Sequence, residues 1–206
     1  MRTHDDLMRD IANNSTGLVG TRRREVDDEH EDDEQRHKKT RIVHPSQRIC
    51  YDWMVVSGNC HYARDAASFS TYRPAHATLQ HNVFNPQDEL QVAGIGTVHV
   101  TVTRGRNDPT AHVLVLEGVL HIPEAVCNGF NPLLVGSSMS CHQALWEGAD
   151  ATGQPMWYGL PFAGGTRLVL AGNPRGDSEL IEGRYYTLSL YVSPEERADI
   201  IKSTGG

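Results

Sequence analysis

The sequence of 206 residues lacks long apolar runs and an apolar segment near its start. A membrane-spanning helix needs about 20 apolar residues in succession, and no stretch of this chain approaches that length. The first residues, MRTHDDLMRD, contain no apolar core of a secretory signal. We therefore expect no membrane partner and a cytoplasmic or nuclear location.

Cysteine is also scarce. Four cysteines, widely spaced, cannot form a disulfide framework, and in an intracellular chain we expect reduced thiols. Cys60-His61 and Cys141-His142 are adjacent pairs, whereas zinc ligands usually occur as Cys-x(2–4)-Cys with a matching second pair. We predict no metal site, with the meeting of these two pairs in space as the alternative. We also predict no cofactor, because AGIG at 93–96 precedes a strand and does not open a helix.

Basic residues are fewer than acidic ones, and the net charge is −7. This balance argues against a nucleic-acid partner, whose binding proteins are usually basic. Residues 1–48 contain charge blocks of both signs and few strong apolar residues, so they cannot offset the entropy cost of ordering. We predict a disordered arm over 1–48. Its basic block RHKKTR is either a solvated tail or a nuclear-import or anionic-surface patch.

From residue 49 onward, short β-type runs alternate with Gly- and Pro-rich turns. The clearest strand has Val98, Val100 and Val102 alternating with polar residues, which predicts one buried and one exposed face. A hairpin loop at 104–110 joins it to a strand bent or broken at 117–118. We predict a helical turn at 63–70, a loop-rich connection at 73–88, and further strands at 53–56, 77–83, 133–135, 155–160, 167–170 and 185–192.

The end of the chain contains the one convincing helix signal. Ser193 is a good N-cap, Pro194 fits the first helical position, and Glu195 and Glu196 face the positive end of the helix dipole. We predict a helix to about Lys202. The chain therefore divides into an arm at 1–48, an all-β domain at 49–192, and a C-terminal helix and tail at 193–206.

The stretch 51–72, YDWMVVSGNCHYARDAASFSTY, predicts a buried strand that runs directly into a Ser-Gly turn. It resembles the opening of the protease-like β-barrel of Copia-type retrotransposon polyproteins, roughly Trp-Ile-Leu-Asp-Ser-Gly-Ala-Ser-x-His-Met followed by Asp and Phe. The matching residues, with one residue missing before His61, are Trp53, Ser57, Gly58, His61, Asp65 and Phe69.

The resemblance continues in order to about Met139. The family's Val-x-Gly-x-Gly and Val-rich strand match Val92, Gly94, Gly96, Val98 and Val100, and its Leu-x-x-Val-Leu-x-x-Pro is similar to Leu116, Val119, Leu120 and Pro123. Its Asn-Leu-Leu-Ser run resembles Asn131 to Leu134, with Cys127-Asn128 as the alternative register. A fungal-type set of free-standing proteins with this barrel is also similar, through Tyr185, Tyr186 and Glu195 to Arg197.

The resemblance implies a small closed aspartic-protease-like β-barrel, two copies of which would each supply one catalytic Asp. Aspartic proteolysis requires two carboxylates that share a proton, but Val56 stands at the family's Asp position. Asp52 lies about 13 Å before Val56 along a strand, and Asp65 is expected to cap the following turn. Neither is well placed to substitute.

The resemblance also implies roles for other residues. Gly94, Ile95 and Gly96 correspond to a flap over the substrate, with a simple bend as the alternative. Trp53, Phe69, Leu120 and Pro123 are expected to be structural. Trp146 and Trp157 are candidates for an interface or for barrel closure.

The sequence therefore predicts a transposon-derived, catalytically inactive aspartic-protease-like module that binds a peptide or protein partner, or a second copy of itself as a homodimer. One alternative is an active aspartic-type endopeptidase with a displaced acid. Another is an accessory protein that associates with nucleic acid through its basic arm.

Overall fold

The structure, a computed structural model, describes residues 48–80 and 89–204. The predicted disordered arm at 1–48 lies, except for Arg48, outside the described residues, as does the second half of the predicted connection at 73–88. Within the described residues, strands dominate and a short helix ends the chain. The prediction of a mostly β domain with a short C-terminal helix is confirmed.

The strands belong to a single sheet. In chain order they are β1 (Trp53–Val55), β2 (Tyr62–Ala63), β3 (Phe69–Leu79), β4 (Leu90–Gly105), β5 (Asp108–His121), β6 (Asn128–Phe130), β7 (Ser138–His142), β8 (Leu145–Ala149), β9 (Pro155–Phe162) and β10 (Gly165–Leu168). Their hydrogen-bonded order is β3-β4-β5-β2-β6-β1-β10-β9-β8-β7. Strands β3 and β7 are not paired with each other, so among the described residues the sheet stays open.

Strands β4 and β5 form the hairpin that the valine alternation predicts. Val98, Val100 and Val102 are buried, and they face the apolar interior with Leu114 and Leu116 of β5. The connection is tighter than the predicted loop, because Gly105 already pairs with Asp108. At Gly118 the φ angle is +62° and the register shifts, so β5 bends there and continues.

Two predicted strands are wrong. Residues 133–135 belong to a 3₁₀ turn, Pro132–Val135, because Asn131 accepts a hydrogen bond from the Leu133 N–H at 3.1 Å and Gly136 ends the turn at φ +67°. Residues 185–192 are extended but contribute only one bridge, between Leu190 and Gly58.

Around β3 the structure also differs from the prediction. The helical turn is a 3₁₀ turn at Ala66–Ser68. Residues 77–79 of the strand expected at 77–83 are the end of the longer β3, and 81–83 lie outside the described residues. Asp65 occupies the N-cap position of that turn, but its side chain makes no cap hydrogen bond. The predicted capping role of Asp65 is therefore wrong.

Two apolar clusters form the core. One contains Met54 and Val56, and the other contains Trp53, Phe130 and Trp157. Trp157 is fully buried and donates a hydrogen bond from Nε1 to Ser137 Oγ at 3.1 Å, which makes it a core residue. Of the other residues expected to be structural, Leu120 is buried, Phe69 is half-buried and Pro123 is exposed.

Helix α1 (Pro194–Ser203) follows the predicted capping pattern. Ser193 accepts a hydrogen bond from the Glu196 N–H, and the Glu196 carboxylate accepts one from the Ser193 N–H. The helix packs on the outer edge of β3, where Ser203 Oγ accepts from the His76 N–H and Glu196 Oε1 from the Gln80 N–H. It thereby protects an edge strand from pairing with other chains.

Across the part of the chain that the structure describes, no helix has the length and apolar character needed to cross a bilayer.

Candidate functional site: the turn after β1 and its C-terminal cover

The Ser-Gly turn stands where the sequence predicts it, directly after β1. The Val56 N–H donates to the Phe130 carbonyl at 2.8 Å, and the Val56 side chain lies in the apolar core with 6 % of its surface exposed. Ser57 and Gly58 are at the surface. Gly58 has φ +101°, and the Leu190 backbone occupies the space of a Cβ atom. Only glycine fits there.

The two carboxylates nearest to this turn in the sequence bond to other groups. Asp52 Oδ1 pairs with Arg167 Nη1 at 2.9 Å, and Asp52 Oδ2 is buried without a partner among the described residues. Asp65 Oδ2 accepts a hydrogen bond from the Cys50 N–H at 2.8 Å. Both acids considered as substitutes for an Asp at position 56 thus bond to other groups. Val56 itself has no group that can transfer a proton.

The turn is covered by residues 188–192, which we call the cover segment. Gly58 and Leu190 form a parallel bridge, and the Asn59 N–H donates to the Leu190 carbonyl at 3.2 Å. The Tyr62 hydroxyl donates to the Leu188 carbonyl at 2.7 Å. These bonds go to the main chain of the cover segment, so they recognise an extended backbone whatever its side chains are.

Asn59 holds the end of the cover segment at two points. Its Nδ2 donates to the Val192 carbonyl and its Oδ1 accepts from the Val192 N–H, both at 2.8 Å. The side-chain amide thus pairs with Val192 as a neighbouring strand would. Arg197 in α1 completes the contact by donating to the Asn59 carbonyl at 2.9 Å.

Side chains of the cover segment alternate between the core and solvent. Leu188 and Leu190 pack against the apolar core and Val192 is buried within it, whereas Ser189 and Tyr191 are exposed. This is the period of a strand laid on a surface. The surface that the cover segment occupies, which we call the groove, therefore holds a short extended segment with apolar residues at every second position.

A contact between two side chains also joins the turn to the cover segment. Ser189 Oγ accepts a hydrogen bond from the Ser57 N–H at 3.0 Å and lies 2.8 Å from Ser57 Oγ. Both residues are exposed.

Cys60 and His61 face different partners. Cys60 Sγ lies 3.8 Å from the Leu190 carbonyl, and burial raises its pKa to about 11, so at neutral pH it is a thiol and a poor nucleophile. His61 is stacked on Phe130 and accepts the Asn131 N–H at Nδ1, at 3.1 Å. In the described part of the chain no group of three or more His, Cys, Asp or Glu side chains could hold a metal ion.

The burial of His61 predicts that the stability of the fold depends on pH. Burial lowers its pKa from 6.5 to about 4, so in this window the unfolded chain binds a proton that the native chain excludes. Stability is full above about pH 6.5 and falls as the pH drops to about 4. The expected loss is about 3 kcal/mol, measured by urea unfolding across that range.

The His61→Gln variant should remove most of that slope, because Gln does not titrate. The exposed His99 offers a matched control, and His99→Gln should keep the wild-type pH dependence. Equal slopes for the wild type and His61→Gln would contradict the prediction.

Gly94, Ile95 and Gly96 lie within β4, paired with β3 on one side and β5 on the other. The Tyr72 ring occupies the space of a Cβ atom at Gly94, and the Thr71 carbonyl does so at Gly96. Close packing of β3 therefore accounts for both glycines. The tip of the β3–β4 hairpin falls at 81–88, outside the described residues.

A cavity of about 530 Å³ lies apart from the turn, between the β9–β10 hairpin and residues 173–178. Asp52 and Arg167 form part of its wall, and the Arg167 guanidinium stacks on the Phe162 ring at 3.7 Å. The sequence predicts neither this cavity nor the position of the cover segment. It predicts a strand at 185–192, but the contact of that stretch with Ser57 joins residues 132 positions apart.

No protein-family model, curated protein or solved structure matches this chain.

Proposed function

We propose that this chain is a transposon-derived, catalytically inactive module of the aspartic-protease-like β-barrel type, and that it binds an extended peptide segment in the groove around residues 57–59. The resemblance of residues 52 to 139 supports the ancestry. Val56 at the family's Asp position, with Asp52 and Asp65 bonded to other groups, supports inactivity, because aspartic proteolysis requires a pair of carboxylates.

A barrel-like closure is part of the proposal. The sheet is open in its strand order, but β4 is linked to the residues that follow β10. Val102 forms a bridge with Leu170, and the Thr103 N–H donates to the Val169 carbonyl at 2.9 Å. These bonds favour a sheet curled on itself, as in the resembling proteases.

The observation that carries the binding function is the way the groove holds its own cover segment. Hydrogen bonds reach the main chain at Leu188, Leu190 and Val192, and apolar packing selects the same three side chains. Main-chain bonds combined with sites for alternate side chains are how proteins recognise extended peptides. The ligand class is therefore a strand-like segment of Leu-x-Leu-x-Val type.

A peptide covering residues 186–193, YTLSLYVS, tests this function on the full-length chain. We expect saturable binding by fluorescence anisotropy, weakened by competition with the cover segment. A control peptide with Asp in place of both leucines should not bind, because a charge cannot enter the apolar sites.

A disulfide that fixes the cover segment to the turn provides a stricter test. In the Ser57→Cys/Ser189→Cys variant, with Cys141→Ser to remove the exposed thiol, oxidation should join the two positions whose hydroxyls lie 2.8 Å apart. Oxidised protein should lose peptide binding, and reduction should restore it. Equal binding by the oxidised and reduced forms, or by the two peptides, would place the peptide elsewhere and end the proposal.

A further inference from the structure

The stretch that precedes the cover segment is built as an exposed hinge. Leu180 is buried and the neighbouring Glu179 pairs with Arg64 at 2.9 Å, so the chain is anchored up to this point. Residues 181–187 then form no strand or helix, and six of the seven are exposed. A turn from Ile181 to Arg184, with Gly183 at φ +83°, reverses the chain.

Few bonds close this hinge, although its opening withdraws the buried Val192 and Ile200 from the apolar core. The turn is closed by one backbone hydrogen bond, from the Arg184 N–H to the Ile181 carbonyl at 3.1 Å, and Tyr186 adds a hydroxyl contact with the Ile181 N–H at 3.0 Å. Straightened, the seven residues span about 23 Å. Such a reach is enough to carry the following residues away from their own chain.

We propose that two copies of this protein exchange residues 188–204, each placing its cover segment and helix α1 on the turn and β3 edge of the other. This exchange depends on the groove of the proposed function, and the partner that occupies the groove is a second copy of this chain. Every bond across the groove would be made unchanged between chains, which is why exchange of an identical element is a low-cost route to a dimer.

The match between groove and segment identifies the partner. The one extended segment that the described residues show in the groove is this chain's own, with Val192 buried and Asn59 bonded to both of its main-chain groups. Helix α1 follows directly after Ser193, and its side chains bond to the β3 backbone at His76 and Gln80. A free peptide of the segment alone would forgo these helix contacts, so a second copy is the better ligand.

Disulfide trapping tests the exchange. The Ser57→Cys/Ser189→Cys/Cys141→Ser chain is unfolded and refolded under reducing conditions, at low and at high concentration, and then oxidised. We expect an intrachain bond at low concentration and a covalent dimer at high concentration, seen on a non-reducing gel as twice the chain mass of 22.8 kDa. Only intrachain bonds at every concentration would overturn the exchange.

Shortening the hinge provides a second measurement. Deleting Glu182 and Gly183 removes the centre of the turn that returns the cover segment to its own groove. Light scattering should therefore show a larger dimer fraction than for the parent at the same concentration. A folded monomer with an intrachain bond would overturn the proposal; if the deletion prevents folding, the concentration series of the parent decides. If the protein binds the peptide but forms no exchanged dimer, the exchange is wrong and the peptide-binding function stands. If it neither binds the peptide nor forms the dimer, the proposed function is wrong as well.

Discussion

The Val56→Asp variant is expected to lose about 4 kcal/mol of unfolding free energy at pH 7, the order of the cost of a buried charge without a partner. Val56 lies in the apolar core beside Met54. Its backbone N–H is already bonded to Phe130. Asp52 pairs with Arg167 and Asp65 accepts from the Cys50 N–H, so neither bonds to this position.

The loss should depend on pH in one direction. Desolvation raises the pKa of a carboxyl group in this position above its ordinary value near 4. Below that value the group is neutral in both the native and the unfolded chain, and the charge penalty disappears. The penalty grows as the pH rises above about 4 and levels off once the pH exceeds the raised pKa.

Urea unfolding at pH 4 and pH 7 measures this difference, with Val56→Asn as the matched control. Asn has nearly the same shape but no charge, so its cost should be the same at both pH values. A Val56→Asp chain that loses no more stability relative to the wild type at pH 7 than at pH 4 would mean that the side chain reaches solvent, and that the interior placement of this position is wrong.

The same variant tests for protease activity. We expect neither the natural chain nor Val56→Asp to cleave an unstructured substrate between about pH 3 and 7, the range of a carboxylate dyad. The new acid would be alone on its turn, and the cover segment lies over Gly58. Pepstatin-sensitive cleavage by the natural chain would make it an enzyme, and cleavage by the variant alone would show a protease scaffold that lacks only its acid.

The parts of the fold that depend on local chemistry could be predicted from the sequence. The alternation of Val98, Val100 and Val102 with polar residues gives β4 its two faces, and Ser193-Pro194 begins the helix as capping chemistry requires. Both signals act over a few residues, so tertiary contacts do not override them.

The 3₁₀ turn at Pro132–Val135 was not predicted although its signals are local. Residues 133–135 look like a strand because they are apolar, but the cap at Asn131 and the left-handed Gly136 close a turn. The cover segment could not be predicted for a different reason. It depends on contacts between residues 57–62 and 188–192, which are far apart in the sequence and which no periodicity links.

The Asn59→Ala variant should show how much the cover segment contributes to stability. The substitution removes the hydrogen-bond partners of both the N–H and the carbonyl of Val192, a residue that is 2 % exposed. Each buried main-chain group left without a partner costs about 1–3 kcal/mol, so we expect a loss of about 4 kcal/mol for the two. Thermal and urea unfolding measure it, and Asn107→Ala, in the exposed turn between β4 and β5, should cost little.

Asn59→Asp separates the two hydrogen bonds. A carboxylate still accepts the Val192 N–H, but it can no longer donate to the Val192 carbonyl. We therefore expect this variant to be less stable than the wild type through loss of the Nδ2 bond and repulsion between two oxygen atoms. An Asn59→Asp chain with wild-type stability would show that the donor bond contributes nothing.

Stability and peptide affinity should change together in these Asn59 variants, because the same amide serves the cover segment and any peptide that replaces it. A variant that is destabilised but binds the 186–193 peptide as tightly as the wild type would show that the groove does not hold ligands through Asn59. Tyr62→Phe provides a further test, since it removes the hydroxyl that donates to the Leu188 carbonyl and contacts Cys127 while keeping the ring in the core. Tyr62→Phe removes one hydrogen bond to the main chain of the bound segment, whereas Asn59→Ala removes two. Tyr62→Phe should therefore weaken peptide binding less than Asn59→Ala does.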